Sequence, residues 1–310
     1  MSKLLVVFGA TGNQGGSVVQ TVISDPTLSN EYKVRAITRD ASKPEAQALQ
    51  KTGKVEVVQA DADDKQTLTR ALDGAHTVFA VTTTVYDEQL EERELSQGKA
   101  IADAAVAAGA QYFIFSTLFP VSRVSEGKYK KAGHFDAKAE VEDYIRELPI
   151  KSAFFAPGSF MQNFHTVMKP HPVGDGAYVL ANIVSPHTQL PLVAIEETGK
   201  YVGAILASPD AFEGKILAGA TKQYTMEEIA EIIGKSSGKT VVYKQLPEIV
   251  FSGFLPGNMA DYLVQMMLYI QEFGYYGAVS KDLVSWSAAK ARGPLTSLES
   301  YLAEHPLNLK

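Results

Sequence analysis

Short apolar runs alternate with longer stretches of helical periodicity through the first half of the chain. The runs fall at residues 4–8, 34–38, 55–59, 77–81, 112–116 and 152–156, and they are rich in β-branched and aromatic side chains. Most are apolar on both faces, the pattern of a central parallel strand covered by helices on each side. Between them the 3.6-residue period predicts helices over 13–24, 42–51, 64–72, 89–108 and 133–147. Strand, helix and strand repeated in this way give right-handed crossovers and a doubly wound parallel sheet, an α/β fold of the Rossmann type.

The second half has more Pro and Gly and a shorter strand candidate at 241–246. Thr225 and Thr296, each followed three residues later by a glutamate (Glu228 and Glu299), fit the capping-box pattern of a helix start. This predicts a smaller C-terminal α+β region. The 310 residues are 45% hydrophobic and 21% charged, enough apolar material for a full core. A net charge of −6 with no dense basic run argues against direct binding of nucleic acid. The absence of cysteine removes thiol nucleophiles, Fe–S clusters and cysteine zinc sites, and no metal site is expected. It also favours an intracellular location, cytoplasmic with the nucleus also open. No run reaches the roughly 18 apolar residues of a membrane span, and the run at 4–8 lacks the length and cleavage site of a signal peptide.

Gly9-Ala10-Thr11-Gly12-Asn13-Gln14-Gly15 joins the first predicted strand to the first helix. Glycine there permits a tight turn, close approach of a pyrophosphate and close packing of helix on strand, and the helix N-terminus offers free amides to an anion. Gly9, Thr11, Gly12, Asn13, Gln14 and Gly15 are therefore assigned to a dinucleotide, in the Gly-x-x-Gly-x-x-Gly spacing of short-chain dehydrogenase relatives. The second strand ends Ile37-Thr38-Arg39-Asp40, and the planar fork of Arg39 can clamp a 2′-phosphate, which favours NADP(H) over NAD. Lys43 offers a second phosphate contact; Asp40, one step of register away, would favour NAD instead. Asp61, past the third strand, and Thr82 and Thr83, past the fourth, are counted with the cofactor contacts. Residues 1–157 are thus read as the dinucleotide-binding domain and 158–310 as a substrate or partner region that shares a cleft with it.

The glycine loop, Ile37-Thr38-Arg39, Gly133-His134-Phe135-Asp136-Ala137-Lys138, the stretch from Pro157 to Asn163 and Thr296-Ser297-Leu298-Glu299 together resemble the NmrA-like family of atypical short-chain dehydrogenase/reductases, over nearly the whole chain. The wider superfamily carries Tyr-x-x-x-Lys, with tyrosine as proton donor and lysine on the nicotinamide ribose; the resemblance puts His134 in the tyrosine's place and Lys138 in the lysine's. Residues four apart share a helix face, so both can reach one cleft. Lys138 reads as a cofactor contact or as a snorkelled surface lysine, and His134 as a proton donor or as a solvated first-turn group. Tyr129 and Tyr144 have the wrong spacing to substitute, and Ser116 and Thr117 match the place of the substrate-orienting serine. The resemblance also puts Pro157 and Phe160 behind the nicotinamide ring with Asn163 beside it, though Ala156 stands where many relatives have arginine. Phe160 and Met161 read equally as core.

Two further stretches have double readings. The loop 118–133, with Arg123, Lys128, Lys130 and Lys131, is a lid over an anion or a solvated loop, and the apolar surface of the helix near 258–273 is a substrate wall, a docking face or core. The resemblance implies an NADP(H)-binding, redox-sensing regulator acting through a protein partner such as a transcription factor. The alternative is an NADPH-dependent reductase of a quinone, enone or aromatic intermediate in which Lys138 serves as base or orients the substrate, with His134 beside it.

Overall fold

A computed structural model describes residues 2–309. The strands are β1 (Lys3–Val7), β2 (Tyr32–Thr38), β3 (Val55–Gln59), β4 (Thr77–Ala80), β5 (Tyr112–Ser116), β6 (Lys151–Pro157), β7 (Ser159–Phe160), β8 (His171–Gly174), β9 (Ala177–Asn182), β10 (Gln189–Val193), β11 (Ile216–Gly219), β12 (Lys222–Thr225) and β13 (Thr240–Gln245). Helices α1 (Asn13–Ser24), α2 (Pro26–Glu31), α3 (Pro44–Lys51), α4 (Lys65–Leu72), α5 (Leu90–Ala107), α6 (Val121–Val124) and α7 (Gly133–Glu147) belong to the first half. The second half adds α8 (Thr198–Ala207), α9 (Pro209–Phe212), α10 (Met226–Ser237), α11 (Glu248–Gly253), α12 (Gly257–Phe273), α13 (Ser280–Ala288) and α14 (Leu298–Glu304).

Seven strands form one sheet in the order β3-β2-β1-β4-β5-β6-β11, every neighbouring pair parallel. The order turns back between β1 and β4, which opens a crevice at the carboxyl ends of these strands. The apolar runs take the burial the sequence predicts: Leu5, Val6 and Val7 in β1 and all of β4 and β5 are buried, with one core between the sheet and α1 and α8 and another between the sheet and α4, α5 and α7. A third core joins the C-terminal elements to the sheet's carboxyl edge. Two three-stranded sheets, β12-β10-β7 and β13-β9-β8, build that region.

The chain leaves the sheet after β6, but β11 returns and pairs with β6 from Ile216↔Phe154 to Gly219↔Pro157. The second half therefore completes the sheet of the first. The Thr225–Glu228 capping box forms as expected, and α10 ends at Gly238 in the left-handed region (φ 65°). The one expected at Thr296 does not. Glu197 Oε1 accepts from both the Thr296 amide (2.8 Å) and hydroxyl (2.9 Å), and Ser297 caps α14 instead by accepting from the Ser300 amide.

One packing detail positions the site. A Cβ on Gly98 of α5 would lie 2.5 Å from the Val141 side chain of α7, and one on Gly133, the first residue of α7, would lie 2.0 Å from Glu91 Oε1 of α5. The two glycines let the helices approach closely. That approach brings Glu94, one turn before Gly98, beneath Lys138 of α7.

Candidate functional site

Gly9 closes the first turn in the left-handed region (φ +67°), and the Gly12 amide donates to its carbonyl at 2.9 Å. A Cβ on Gly15 would lie 2.3 Å from the Gly9 oxygen, a clash with backbone that no side-chain motion relieves. No side chain caps the N-terminus of α1, because its N-cap is Gly12. Loop and helix thus present a bare cradle of amides at the end of β1, one that fits a diphosphate.

The cradle is one end of a cavity of about 710 Å³ at the strand-order reversal. Of the residues expected at the site, Gly9, Gly12, Asn13, Gln14, Gly15, Thr82, Thr83, His134, Lys138, Pro157, Phe160 and Asn163 all line this cavity. Thr11, Arg39, Lys43 and Asp61 are not among its lining residues. Thr11 Oγ1 lies 3.4 Å from Thr38 Oγ1, and Arg39 is exposed at the end of β2 with no carboxylate paired to it among the described residues. Lys43 is the exposed N-cap position of α3. The Asp40 carboxylate is engaged locally, accepting from the Ser42 amide (2.9 Å) and hydroxyl (2.6 Å), bonds that hold its pKa below the ordinary carboxylate value. Asp61 shapes the turn after β3, its carboxylate accepting from the Asp63 amide at 3.1 Å.

Lys138 is 6% exposed, not snorkelled to the surface. Its Nζ pairs with Glu94 and donates to Thr84 Oγ1 at 3.0 Å. Glu94, fully buried, also accepts from Thr82 Oγ1 (2.5 Å) and Thr84 Oγ1 (2.7 Å). Burial pushes the lysine pKa down, and the Glu94 charge and hydrogen bond oppose that shift. The result is a closed polar knot beneath the cavity floor, its lysine at the site and its carboxylate one layer behind.

His134 is neither solvated nor a cap. It is 6% exposed, and burial together with the Lys138 charge lowers its pKa to about 3, so its imidazole is neutral at physiological pH. Tyr86 packs on its ring, with its own phenol pushed up to about 12 by burial. Ser116 Oγ donates to Gln14 Oε1 at 2.8 Å, tying β5 to the glycine loop, and the Thr117 hydroxyl donates to the Lys138 carbonyl at 3.3 Å. The alternatives for Phe160 and Met161 divide: Phe160 lines the cavity and Met161 is core.

The wall that the C-terminal region gives the cavity is apolar. Met259, Leu263, Met266, Met267 and Ile270 of α12 line it with Leu255 and Phe251, while Tyr269 of the same helix packs in the core. The basic residues of the 118–133 loop turn away from this space. Lys128 and Lys131 pair with Glu272 and Asp261 on α12, and Arg123 pairs with Asp143 on α7. The segment contains a short helix, α6, and is fastened to α12 further by the Lys130 and Lys131 amides, which both donate to Gln265 Oε1 at 2.8 Å. Glu94, Tyr86 and the extent of the apolar wall are parts of the site that the sequence pattern did not point to.

A doubly wound sheet, a glycine cradle at its reversal point and a buried lysine facing the crevice from the helix after β5 define the short-chain dehydrogenase/reductase class. The sequence model of the NmrA-like family matches residues 1–302, and the chain belongs to that family. An NmrA-like family domain-containing protein of Dictyostelium discoideum is 31% identical over 312 residues, covering 97% of each chain. Among solved structures, NmrA, a negative transcriptional regulator, in complex with NADP has a TM-score of 0.79 at 21% identity, covering 98% of this chain and 95% of that one. An NADPH-dependent quinone oxidoreductase of Escherichia coli, complexed with NADPH, has a TM-score of 0.76 at 21% identity, covering 97% and 99%. At such identities the likeness of these two structures is one of fold.

Proposed function

We propose that this protein is an NADPH-dependent reductase of an apolar, planar acceptor of the quinone, enone or aromatic class. The observation that carries the reading is one cavity lined both by a bare glycine cradle and by a wall of methionine, leucine and isoleucine from α12. The uncapped amides at the start of α1 fit the diphosphate of a dinucleotide, and the exposed guanidinium of Arg39 with the engaged carboxylate of Asp40 supports NADP(H) over NAD. Bound NADPH supplies a hydride, which reduces the acceptor as the nicotinamide is oxidised to NADP⁺.

The chain's own contribution is binding and orientation. Lys138, paired with Glu94, faces the region assigned to the nicotinamide ribose, and Phe160 and α12 exclude water from the acceptor. Neither the neutral His134 nor Tyr86, pushed up to about 12, is poised to donate a proton near pH 7. This suits acceptors such as quinones, whose two-electron reduced form is stable as an anion and takes its proton from water. The same lack of an acid favours a second reading, a sensor that binds NADP(H) without turning it over and reports its redox state to a protein partner. Such a sensor must bind the two redox forms, or its partner in the two states, with different free energies.

Following NADPH oxidation at 340 nm with a panel of quinones and conjugated carbonyls separates the two. Turnover that falls when Met266 or Ile270 is replaced by a charged residue supports the reductase. Tight NADPH binding with no turnover on any acceptor supports the sensor.

A further inference from the structure

Buried phenols in this fold are tied to the backbone. The hydroxyls of Tyr32, Tyr112, Tyr201 and Tyr276 donate to the carbonyls of Leu206, Pro209, Ala220 and Ala156, and that of Tyr224 accepts from the Leu298 amide. Two others depart from this pattern in opposite ways. The Tyr269 hydroxyl is enclosed with no partner among the described residues. Tyr275 is 7% exposed and lines the cavity, yet its hydroxyl bonds to no group among the described residues and is not one of the enclosed atoms either. The surface left to that oxygen therefore opens on the cavity, and since buried hydroxyls are nearly always paired, its partner is whatever fills that space. The ring is held in place: Phe135 of α7 and Tyr276 meet it edge-on, with centroids at 5.5 and 4.9 Å and interplanar angles of 63° and 66°. Burial, and after it the nearby Tyr86, push its pKa above the ordinary phenol value, so the oxygen keeps its proton at physiological pH.

We infer that Tyr275 receives the acceptor's oxygen, its hydroxyl donating a hydrogen bond to a carbonyl of an otherwise apolar quinone or enone. This rests on the reading of the cavity as an acceptor pocket and names the group that orients the acceptor there. A phenol is a single donor on the edge of a flat apolar ring, so it matches a ligand that is a carbonyl on a flat apolar frame. The Met266, Met267 and Ile270 side chains of α12 offer the same cavity an apolar wall for the rest of that frame. As the hydride reaches such an acceptor, negative charge gathers on its oxygen, and a donor fixed beforehand strengthens with that charge. Tyr275 thereby stabilises the anion while keeping its own proton, which answers the lack of an acid at this site.

The test is equilibrium dialysis of the full chain, saturated with NADP⁺ so that nothing is reduced, against 1,4-naphthoquinone and against naphthalene. The chain has no cysteine to add to the quinone. The preference for the quinone should fall by about 3- to 10-fold in Tyr275→Phe, the loss of one hydrogen bond. That variant removes an oxygen the fold does not bond, so its urea midpoint should stay at the native value. Tyr276→Phe, which loses the bond to the Ala156 carbonyl, should show the reverse, a lowered midpoint with the preference kept. A preference unchanged in Tyr275→Phe, one lost equally in both variants, a midpoint lowered equally in both, or a native protein that binds neither ligand overturns the inference. Oxidation of NADPH by the same quinone is then measured, and kcat should fall in Tyr275→Phe by more than KM rises; an unchanged kcat also overturns it. Absence of turnover in the native protein with the binding preference intact would remove the reductase reading and leave Tyr275 as the donor to a bound carbonyl.

Discussion

Replacement of Glu94 by glutamine tests the polar knot beneath the cavity. The variant keeps the shape of the side chain but leaves the Lys138 ammonium buried without a counter-charge, beside Thr84 alone. Removing one partner of a buried pair costs about 3–5 kcal/mol. The structure sets a ceiling near the same figure, because the lysine can escape by losing its proton. From its ordinary value of 10.5, doing so at pH 7 costs at most about 4.8 kcal/mol, at 1.36 kcal/mol per unit. In the variant, native Lys138 then holds fewer protons than the unfolded chain at any pH below 10.5 and above its lowered native value. Stability relative to the native protein therefore rises with pH, and the deficit at pH 7 should shrink by at most about 1.4 kcal/mol per unit towards pH 9, less the slope that burial of Lys138 already gives the native protein. Urea denaturation followed by circular dichroism at pH 7 and pH 9 measures both quantities. The double variant Glu94→Gln/Lys138→Met, which removes the charge as well, should recover at least about 2 kcal/mol of the loss. A single variant within about 1 kcal/mol of the native protein, or a double variant whose loss equals the sum of the singles, would refute the reasoning.

Other consequences are equally specific. Arg39→Ala should weaken NADP(H) by about 10- to 100-fold and leave NAD(H) nearly unchanged, measured by quenching of the single tryptophan or by dialysis; equal losses for both cofactors would remove Arg39 from the site. His134, ordinarily near 6.5 and lowered to about 3 in the fold, binds its proton in the unfolded chain first, so its burial costs stability as pH falls below 6.5. The native protein should lose about 2 kcal/mol from this group between pH 8 and pH 5, a loss that His134→Phe does not show. Parallel pH–stability curves for the two proteins would contradict the burial of a neutral imidazole.

Much of the fold was legible because β1, β4, β5 and β6 are apolar at most positions, and a strand covered on both faces is what uses that pattern. β11 escaped notice because Ile-Leu-Ala-Gly is too short and too small to signal a strand; its place is fixed by pairing with β6, a contact distant in sequence. The cap at Thr296 failed for a tertiary reason, since Glu197 takes both of its polar groups and the helix start moves to Ser297. The glycine cradle could be read because its chemistry is local. Glu94 could not, because it follows Glu91 and Glu92 and so looks like part of a solvated acidic first turn. One signal was present: positions 94, 98, 101, 102 and 105 fall on the buried face of α5, which places a carboxylate on an apolar stripe. The α12 wall was ambiguous for a different reason, because a methionine-rich face looks the same whether it lines a cavity or fills a core. In this helix it does both, with Met266 and Ile270 on the cavity and Tyr269 in the core.

The central claim, that one cavity brings a dinucleotide and an apolar acceptor together for hydride transfer, is tested most directly by a single-turnover experiment. The protein is mixed with equimolar NADPH deuterated at the transferring position and with 1,4-naphthoquinone, and the absorbance at 340 nm is followed. The account expects a rapid first-order loss of NADPH on the protein, slowed by the deuterium and blocked by Gly15→Ala, whose Cβ would strike the Gly9 oxygen. NADPH that binds tightly and stays reduced, with this quinone and with every other planar acceptor tried, would contradict it.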